Sequence, residues 1–260
     1  MERTPKHVIF ASYGNDSIAL IQWAYEKNLD RVAVVYSNTG WAAGWWAERV
    51  KKAEAWVRSL GFVPHEIQSE GMKALVRRKK GWPRQGMQFC TTHLKIEPAK
   101  RWLDEVDPGR EALCLVGVRR EESRSRASWP EYTEDSENHG GRTLWAPLVR
   151  VTTEERDALL ERAGWAPLPH RSMECAPCVN ANRADLRAVP EETIEQIAQF
   201  EAELGYTKNG KLRTMFRPAS KMGAVGIREV KRWADSERGK YEPLAVLGNG
   251  GGCDSGMCSE

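Results

Sequence analysis

Four short runs of β-branched and apolar residues punctuate the first half of the chain, and stretches with helical periodicity separate them. The runs cover residues 6–11, 31–37 (RVAVVYS), 62–67 (FVPHEI) and 112–118 (ALCLVGV); the helical patterns fall at 16–28, 41–60, 70–79 and 92–105. Strands that alternate with helices in this way predict a parallel sheet with crossover helices. In such a sheet, ligands sit beyond the carboxyl ends of the strands.

The end of the first strand therefore matters most, and there the sequence reads SYGNDS, residues 12–17. A strand that turns tightly into a helix aims several backbone N–H groups into one concavity, with the positive end of the helix dipole behind them. Phosphate suits that place. Gly14 permits backbone angles other residues resist, Ser12 and Ser17 can donate hydroxyls, and Asp16 can cap the helix or position a metal ion. An ordinary strand-to-helix turn with an Asp cap gives the same string, so the turn alone leaves both readings open.

Beyond residue 118 the pattern changes. Residues 119–142 are charged and aperiodic, as a mobile active-site loop would be, and TLWAPL at 143–148 reads as a fifth strand. VTTEERDALLERAG carries a helix start at Thr152 or Thr153 and a stop at Gly164, and two more helices are expected at 190–204 and 224–236. The expected division is an α/β domain over 1–150 and a helical region over 151–260. The tail, GNGGGCDSGMCSE, is too rich in glycine to pack without something to hold it. No apolar stretch has membrane-spanning length and Met1–Lys6 is polar, so a cytoplasmic protein without a membrane partner is expected.

A net charge of +3 does not establish a nucleic-acid partner, but it allows a local basic face. VRRKKGWPRQ at 76–85 sets five cations around a tryptophan, an arrangement that can meet a nucleic-acid backbone and stack on a base, or simply end a solvated helix. Among eleven tryptophans, Trp41, Trp45 and Trp46 form a group that can line a core or stack on a flat ligand.

Six cysteines in a cytosolic chain point to metal or redox chemistry before disulfides. Cys114 lies inside the apolar run ALCLVGV and reads as core. Cys175 and Cys178 form a CxxC, Cys90 opens CTTHLKIEP, and Cys253 and Cys258 stand in the tail. Four thiolates suffice for zinc or for an iron–sulfur cluster, which leaves one of the five over.

Four stretches taken in order carry a family resemblance. SYGNDS resembles the SGGxDS pyrophosphate loop of the adenine-nucleotide α-hydrolase superfamily, whose branches include the phosphoadenosine phosphosulfate (PAPS) reductases and the ATP pyrophosphatases that activate substrates for sulfur transfer. YSNTGW at 36–41 resembles its strand-two DTG element, with Asn38 for the usual Asp. CTTHLKIEP at 90–98 resembles its Cys-then-Lys-x-x-Pro segment, and GVRREESRSRA at 117–127 its Gly-x-Arg-x-x-Glu-Ser-x-x-Arg loop. The resemblance implies a doubly wound, mostly parallel α/β core that binds ATP or PAPS. Backbone around Ser12, Gly14, Asn15, Asp16 and Ser17 would cradle phosphates with Mg2+ close by, and Ser37, Asn38 and Thr39 would lie near the adenosine. Gly117 would open the arginine loop. Lys95, Arg119, Arg124 and Arg126 would supply cationic clamps, for which guanidinium forks are well shaped. Solvated pairing with Glu121 and Glu122 is the other reading of those arginines. Asp16, Lys95 and Arg119 are the catalytic candidates.

Two departures in the loop, Tyr13 for a small residue and Asn15 where Lys is common, imply a changed grip on phosphate. The intact Asp16-Ser17 pair favours cleavage of an ATP α–β bond over reading a ready-made sulfonucleotide. By the same resemblance Cys90, Cys175 and Cys178 would hold a 4Fe–4S cluster, with zinc as the alternative. The family often has a cysteine pair where this chain has Phe89-Cys90, so a tail cysteine must substitute: Cys253 as fourth ligand, which leaves Cys258 as the reactive thiol. The implied function is an ATP pyrophosphatase that activates a substrate, nucleic acid among the candidates, for sulfur transfer, with a sulfur donor such as a cysteine desulfurase. Alternatives are a PAPS or adenosine phosphosulfate reductase served by thioredoxin, against which stands the missing Glu-Cys-Gly-x-His motif, and a non-catalytic nucleotide-binding subunit.

Overall fold

His7–Phe10 forms β1, from which the sheet is laid out in both directions. The computed structural model describes residues 4–216 and 225–237. After β1 come α1 (Asn15–Glu26), β2 (Val32–Asn38), α2 (Trp46–Ser59), β3 (Val63–Gln68), α3 (Met72–Lys79), the single turn α4 (Phe89–Thr91), α5 (Glu97–Val106) and β4 (Leu113–Val116). The chain continues through β5 (Tyr132–Ser136), β6 (Arg142–Trp145), α6 (Thr153–Arg162), α7 (Arg183–Arg187), α8 (Glu191–Leu204) and α9 (Ile227–Asp235). The strand order is β3-β2-β1-β4-β6-β5, and each neighbouring pair is parallel except β5 with β6. From β1 the chain moves outward to β3, then returns to place β4 on the other side. That reversal opens a crevice at the carboxyl ends of β1 and β4, the usual ligand position of a doubly wound sheet.

Side chains alternate across β1, so Val8 and Ile9 face opposite layers, and both are fully buried. Ile9 joins Val34, Leu115 and the apolar faces of α1, α2 and α6 through Ile18, Trp46, Val57 and Leu160. Val8 joins Ala33, Val35, Cys114 and Leu144 against Ala99 and Leu103 of α5. Burial on both faces is why these strands read as continuous apolar runs. Cys114 is core, as its setting in the sequence suggested.

Residues 1–72 and 90–176 form one compact unit, and residues 73–89 and 177–260 form a second. In the first, α6 packs on α1 and starts with a capping box: Thr152 Oγ1 accepts from Glu155 N, and the Glu155 carboxylate accepts from Thr152 N. The stretch read as an aperiodic loop contains three short 3-10 turns and β5, an edge strand with a register shift whose Tyr132 ring stacks on Trp145 at 5.4 Å. Its charges mark an exposed edge, which hid the strand from a search for apolar alternation. Next to it, fully buried Arg142 donates through Nε to Asp107 Oδ2 at 2.7 Å and through Nη2 to the carbonyls of Leu103 and Asp107, so α5 is locked to β6. In the second unit, α7 was not foreseen, being only five residues long behind an Asn182–Asp185 capping box. Buried Glu201 on α8 accepts from the N–H groups of Met215 and Ile227, both at 2.8 Å, and so ties the start of α9 to α8.

Candidate functional site

The turn after β1 is built without a side-chain cap on α1. Ser12 Oγ accepts from Gly14 N at 3.3 Å, and Ser17, buried, donates its hydroxyl to Gly14 O at 3.1 Å. Both hydroxyls thus shape the turn, and the first-turn N–H groups of α1 receive no side-chain cap. A Cβ on Gly14 would lie 3.0 Å from Ser172 Cβ, a tight contact, while its extended φ of −77° is open to any residue, which corrects the expectation that Gly14 supplies unusual backbone angles. Tyr13 adopts a left-handed φ of 57°, unusual for a bulky residue, and is fully buried. Its ring stacks on Tyr36 at 5.7 Å, burial raises its phenol pKa, and its carbonyl accepts from Arg49 Nε at 2.7 Å. Arg49 in turn lies over the rings of Trp46 and Trp165, at 5.4 and 4.7 Å.

Asp16 meets the arginine loop. Arg119 Nε donates to Asp16 Oδ1 at 2.5 Å, and Arg119 Nη1 donates to Glu121 Oε2 at 3.1 Å. Only 3% of the Arg119 side chain is exposed, against 27% for Asp16. Arg119 therefore fixes the carboxylate and is not an open clamp. Gly117 packs so tightly on the first turn of α1 that an added Cβ would lie 2.8 Å from Asp16 O. Arg126 pairs with Glu122; its pKa is lowered, first by burial, while Asp16 opposes that shift and Arg171 and Arg119 add to it. Arg124 is exposed.

Residues 168–176 run as a strap over the ends of β1 and β2. Asn15 binds the strap's Leu168 twice, its Oδ1 accepting from Leu168 N at 2.9 Å and its Nδ2 donating to Leu168 O at 3.0 Å. Ala43 N donates to Met173 O at 3.0 Å, Thr39 Oγ1 to Glu174 O at 3.0 Å, and Ala176 N to Trp41 O at 2.8 Å. Thr39, buried, also lies 3.5 Å from Cys175 Sγ. Lys95 pairs with Glu174, and it stands in a π-helical turn, Thr92–Ile96, that precedes Pro98. Proline has no N–H for the carbonyl four residues back, which relaxes the preceding turn. Burial raises the Tyr36 phenol pKa, and the charges of Glu174 and Cys175 push the same way. Asn38 is engaged with Glu66 Oε1 at 2.8 Å and with Gly40 N at 2.9 Å, while Ser37 is half-buried beside it.

Of the candidate ligands, Cys90, Cys175 and Cys178 are half-buried, and Cys253 and Cys258 lie outside the described residues. The buried Cys114 thiol is pushed up to about 12 by desolvation. Among the described residues no three Cys, His, Asp or Glu side chains gather around one ion position. The donor chemistry of the three half-buried thiols fits a cluster or zinc. Trp46 and Trp41 are buried, so only Trp45 of that group presents a ring to solvent. Trp82 in the basic tract is 8% exposed and donates Nε1–H to Arg213 O at 3.2 Å, which corrects the expectation that it stacks on a base. Sequence reading missed Arg49, Glu174 and the strap, because their partners lie far away along the chain.

Residues 6–170 match the model of the phosphoadenosine phosphosulfate reductase domain. A curated relative, an uncharacterized 37.8 kDa protein in the gpa 5' region of Escherichia phage 186, is 29% identical over 208 residues, 69% of this chain; the chain spans only 62% of that relative's length. The PAPS reductase from Candida auris, solved with phosphate, gives a TM-score of 0.45 at 14% identity over 63% of this chain and 75% of its own. The U34-tRNA thiolase NcsA from Methanococcus maripaludis, solved with its 4Fe-4S cluster, gives 0.47 at 13% identity over 90% of this chain and 74% of its own. No helix among the described residues is long and apolar enough to cross a membrane.

Proposed function

The chain belongs to the phosphoadenosine phosphosulfate reductase domain family, and from that premise we propose that it is an ATP pyrophosphatase of the sulfur-transfer type, which adenylates an acceptor so that sulfur can replace the activated oxygen. The observation that carries this reading is the retained Asp16, held by the buried Arg119 at the uncapped start of α1 with part of its carboxylate in solvent. ATP phosphates would lie against the first-turn N–H groups, with Arg124 and Arg126 at the loop above. An acceptor oxygen attacks the α-phosphorus and pyrophosphate departs toward the α1 terminus; the terminal sulfur of a persulfide then displaces AMP, and a second thiol, as reductant, splits the resulting acceptor–cysteine disulfide.

The exposed part of Asp16 is the residue to hold Mg2+, which would neutralise charge on the departing pyrophosphate. Cys90, Cys175 and Cys178, with Cys253 as fourth ligand, would hold a 4Fe–4S cluster, and that group would supply a soft centre for handling sulfur. Lys95, in its pair with Glu174, orients the strap that carries Cys175. Cys258 is the thiol proposed to bring in persulfide sulfur from a donor such as a desulfurase.

Anaerobic purification with iron and sulfide analysis, followed by pyrophosphate release from ATP and sulfite release from PAPS, tests the reading. Mg2+-dependent pyrophosphate release that Asp16→Asn abolishes, together with iron that Cys175→Ser loses, is expected. Rapid thioredoxin-dependent sulfite formation from PAPS, with ATP untouched, overturns it.

A further inference from the structure

We propose that the second unit carries a binding surface for single-stranded nucleic acid, on which Lys79, Lys80, Lys208 and Lys211 contact phosphates and Tyr206 stacks on a base. Two segments far apart in sequence supply it. Lys73 to Gln88 holds six cations and no acid, and Gly205 to Arg213 holds three cations and no acid, in a chain whose net charge is only +3. The remainder of the chain is thus net acidic, and the positive charge is concentrated here.

The structure joins these segments. Lys80 ends α3 with a left-handed φ of 52°, and its carbonyl accepts from Arg213 Nε at 3.1 Å. Arg213 also donates through Nη1 to Leu204 O at 2.9 Å and to Tyr206 O, and its own carbonyl accepts from Trp82 Nε1. Residues 206–212 form a tight hairpin, with Tyr206 bridged to Leu212. Arg213 and Trp82 are thereby committed to fastening the hairpin to the end of α3, and the lysines on either side are left at the surface.

Charge and shape identify the occupant. Lys79, Lys80, Lys208 and Lys211 are exposed, and none has an ion pair with another described residue. Arg77, by contrast, is matched by Glu203 through two bonds at 2.7 and 3.0 Å. Exposed cations on two joined segments repel one another unless a polyanion covers them. Tyr206 is 66% exposed beside them, a sequence-tolerant stacking platform of the kind single strands use. The hairpin tip is polar, Thr207 to Gly210, with nothing to insert into a lipid bilayer. These features favour a nucleic-acid strand over a membrane.

Binding is read without turnover, so the proposal stands apart from the ATP reading. Fluorescence anisotropy with labelled single-stranded RNA and DNA of about 20 nucleotides, from about 50 to 200 mM salt, measures affinity and salt slope. The Lys79→Glu, Lys208→Glu, Lys211→Glu triple variant should bind at least ~10-fold more weakly, with a log–log salt slope smaller by about 2, since each lost phosphate contact removes roughly 0.7. Tyr206→Ala should weaken binding about 5- to 10-fold with the slope unchanged. A matched reversal on the first unit, Lys27→Glu, Lys51→Glu, Arg101→Glu, should stay within about 3-fold of the parent, as residues outside the phosphate-contacting set should. Thermal melts check that each variant is folded. Failure of the parent protein to bind either oligonucleotide, equal losses in the two triple variants, or binding to phosphatidylserine vesicles in place of the oligonucleotides overturns the proposal.

Discussion

Replacing Asp16 should affect stability as well as chemistry, and the size of the stability effect follows from its partner. Arg119 is 3% exposed and gives its Nε–H to Asp16 Oδ1 at 2.5 Å. Truncation to Ala leaves that guanidinium buried without this partner, a change that costs about 3–5 kcal/mol for a fully buried pair. Two facts reduce the figure: the Asp16 side chain is 27% exposed, and Glu121 Oε2 still accepts from Arg119 Nη1 at 3.1 Å. We expect about 2–3 kcal/mol for Asp16→Ala, or a drop in Tm of roughly 4–12 °C for a chain of this size. Asp16→Asn keeps an acceptor oxygen for Arg119 and should cost about 1 kcal/mol. Circular dichroism melts on both variants, beside pyrophosphate release from ATP, separate the two effects: Asn should stay folded and lose Mg2+-dependent turnover, while Ala should lose turnover and stability together. If both variants melt within a degree or two of the parent, Asp16 does not support Arg119 and the reasoning fails.

Gly117→Ala puts a Cβ 2.8 Å from Asp16 O, a backbone atom that cannot swing aside, so it should destabilise by about 1–3 kcal/mol and impair ATP turnover; an unchanged urea midpoint and rate would show that the first turn of α1 yields easily. His139 is held down to about 4, first by burial and then by Arg142, so both states are neutral above pH 6.5 and only the unfolded chain takes a proton between there and about 4. Stability should therefore fall as pH drops through that window, by up to about 3 kcal/mol, and His139→Gln should flatten the slope; a variant with an unchanged pH profile of urea unfolding counts against it.

The strand–helix alternation of the first half was legible because β1, β2 and β4 are buried on both faces and read as apolar runs, while β3, at the sheet edge, gave only the weaker FVPHEI. The turn at Ser12–Ser17, Gly117 and the Cys90, Cys175 and Cys178 thiols stood out as short local strings. What stayed hidden has no local signature. Nothing near Arg119 says that it will be buried on Asp16, 103 residues earlier, and nothing near Asn15 points to Leu168, 153 residues on. β5 was missed because an edge strand with one solvated face need not be apolar, and Trp82 was misread because its burial depends on Phe200, whose ring meets it edge-on at 5.3 Å.

The two loop departures that implied a changed grip on phosphate have a common structural use. Asn15 opens α1, and its short amide closes a pair of hydrogen bonds with one residue of the strap. Tyr13 fills the space beneath with its ring against Tyr36, and Tyr36 lies close enough to Glu174 and Cys175 for their charges to act on its phenol. The turn after β1 and the cysteine-bearing strap are therefore held by the same few residues. Within the first unit, the α1 terminus is tied to Leu168 by the Asn15 side chain and packs closely on Ser172 at Gly14.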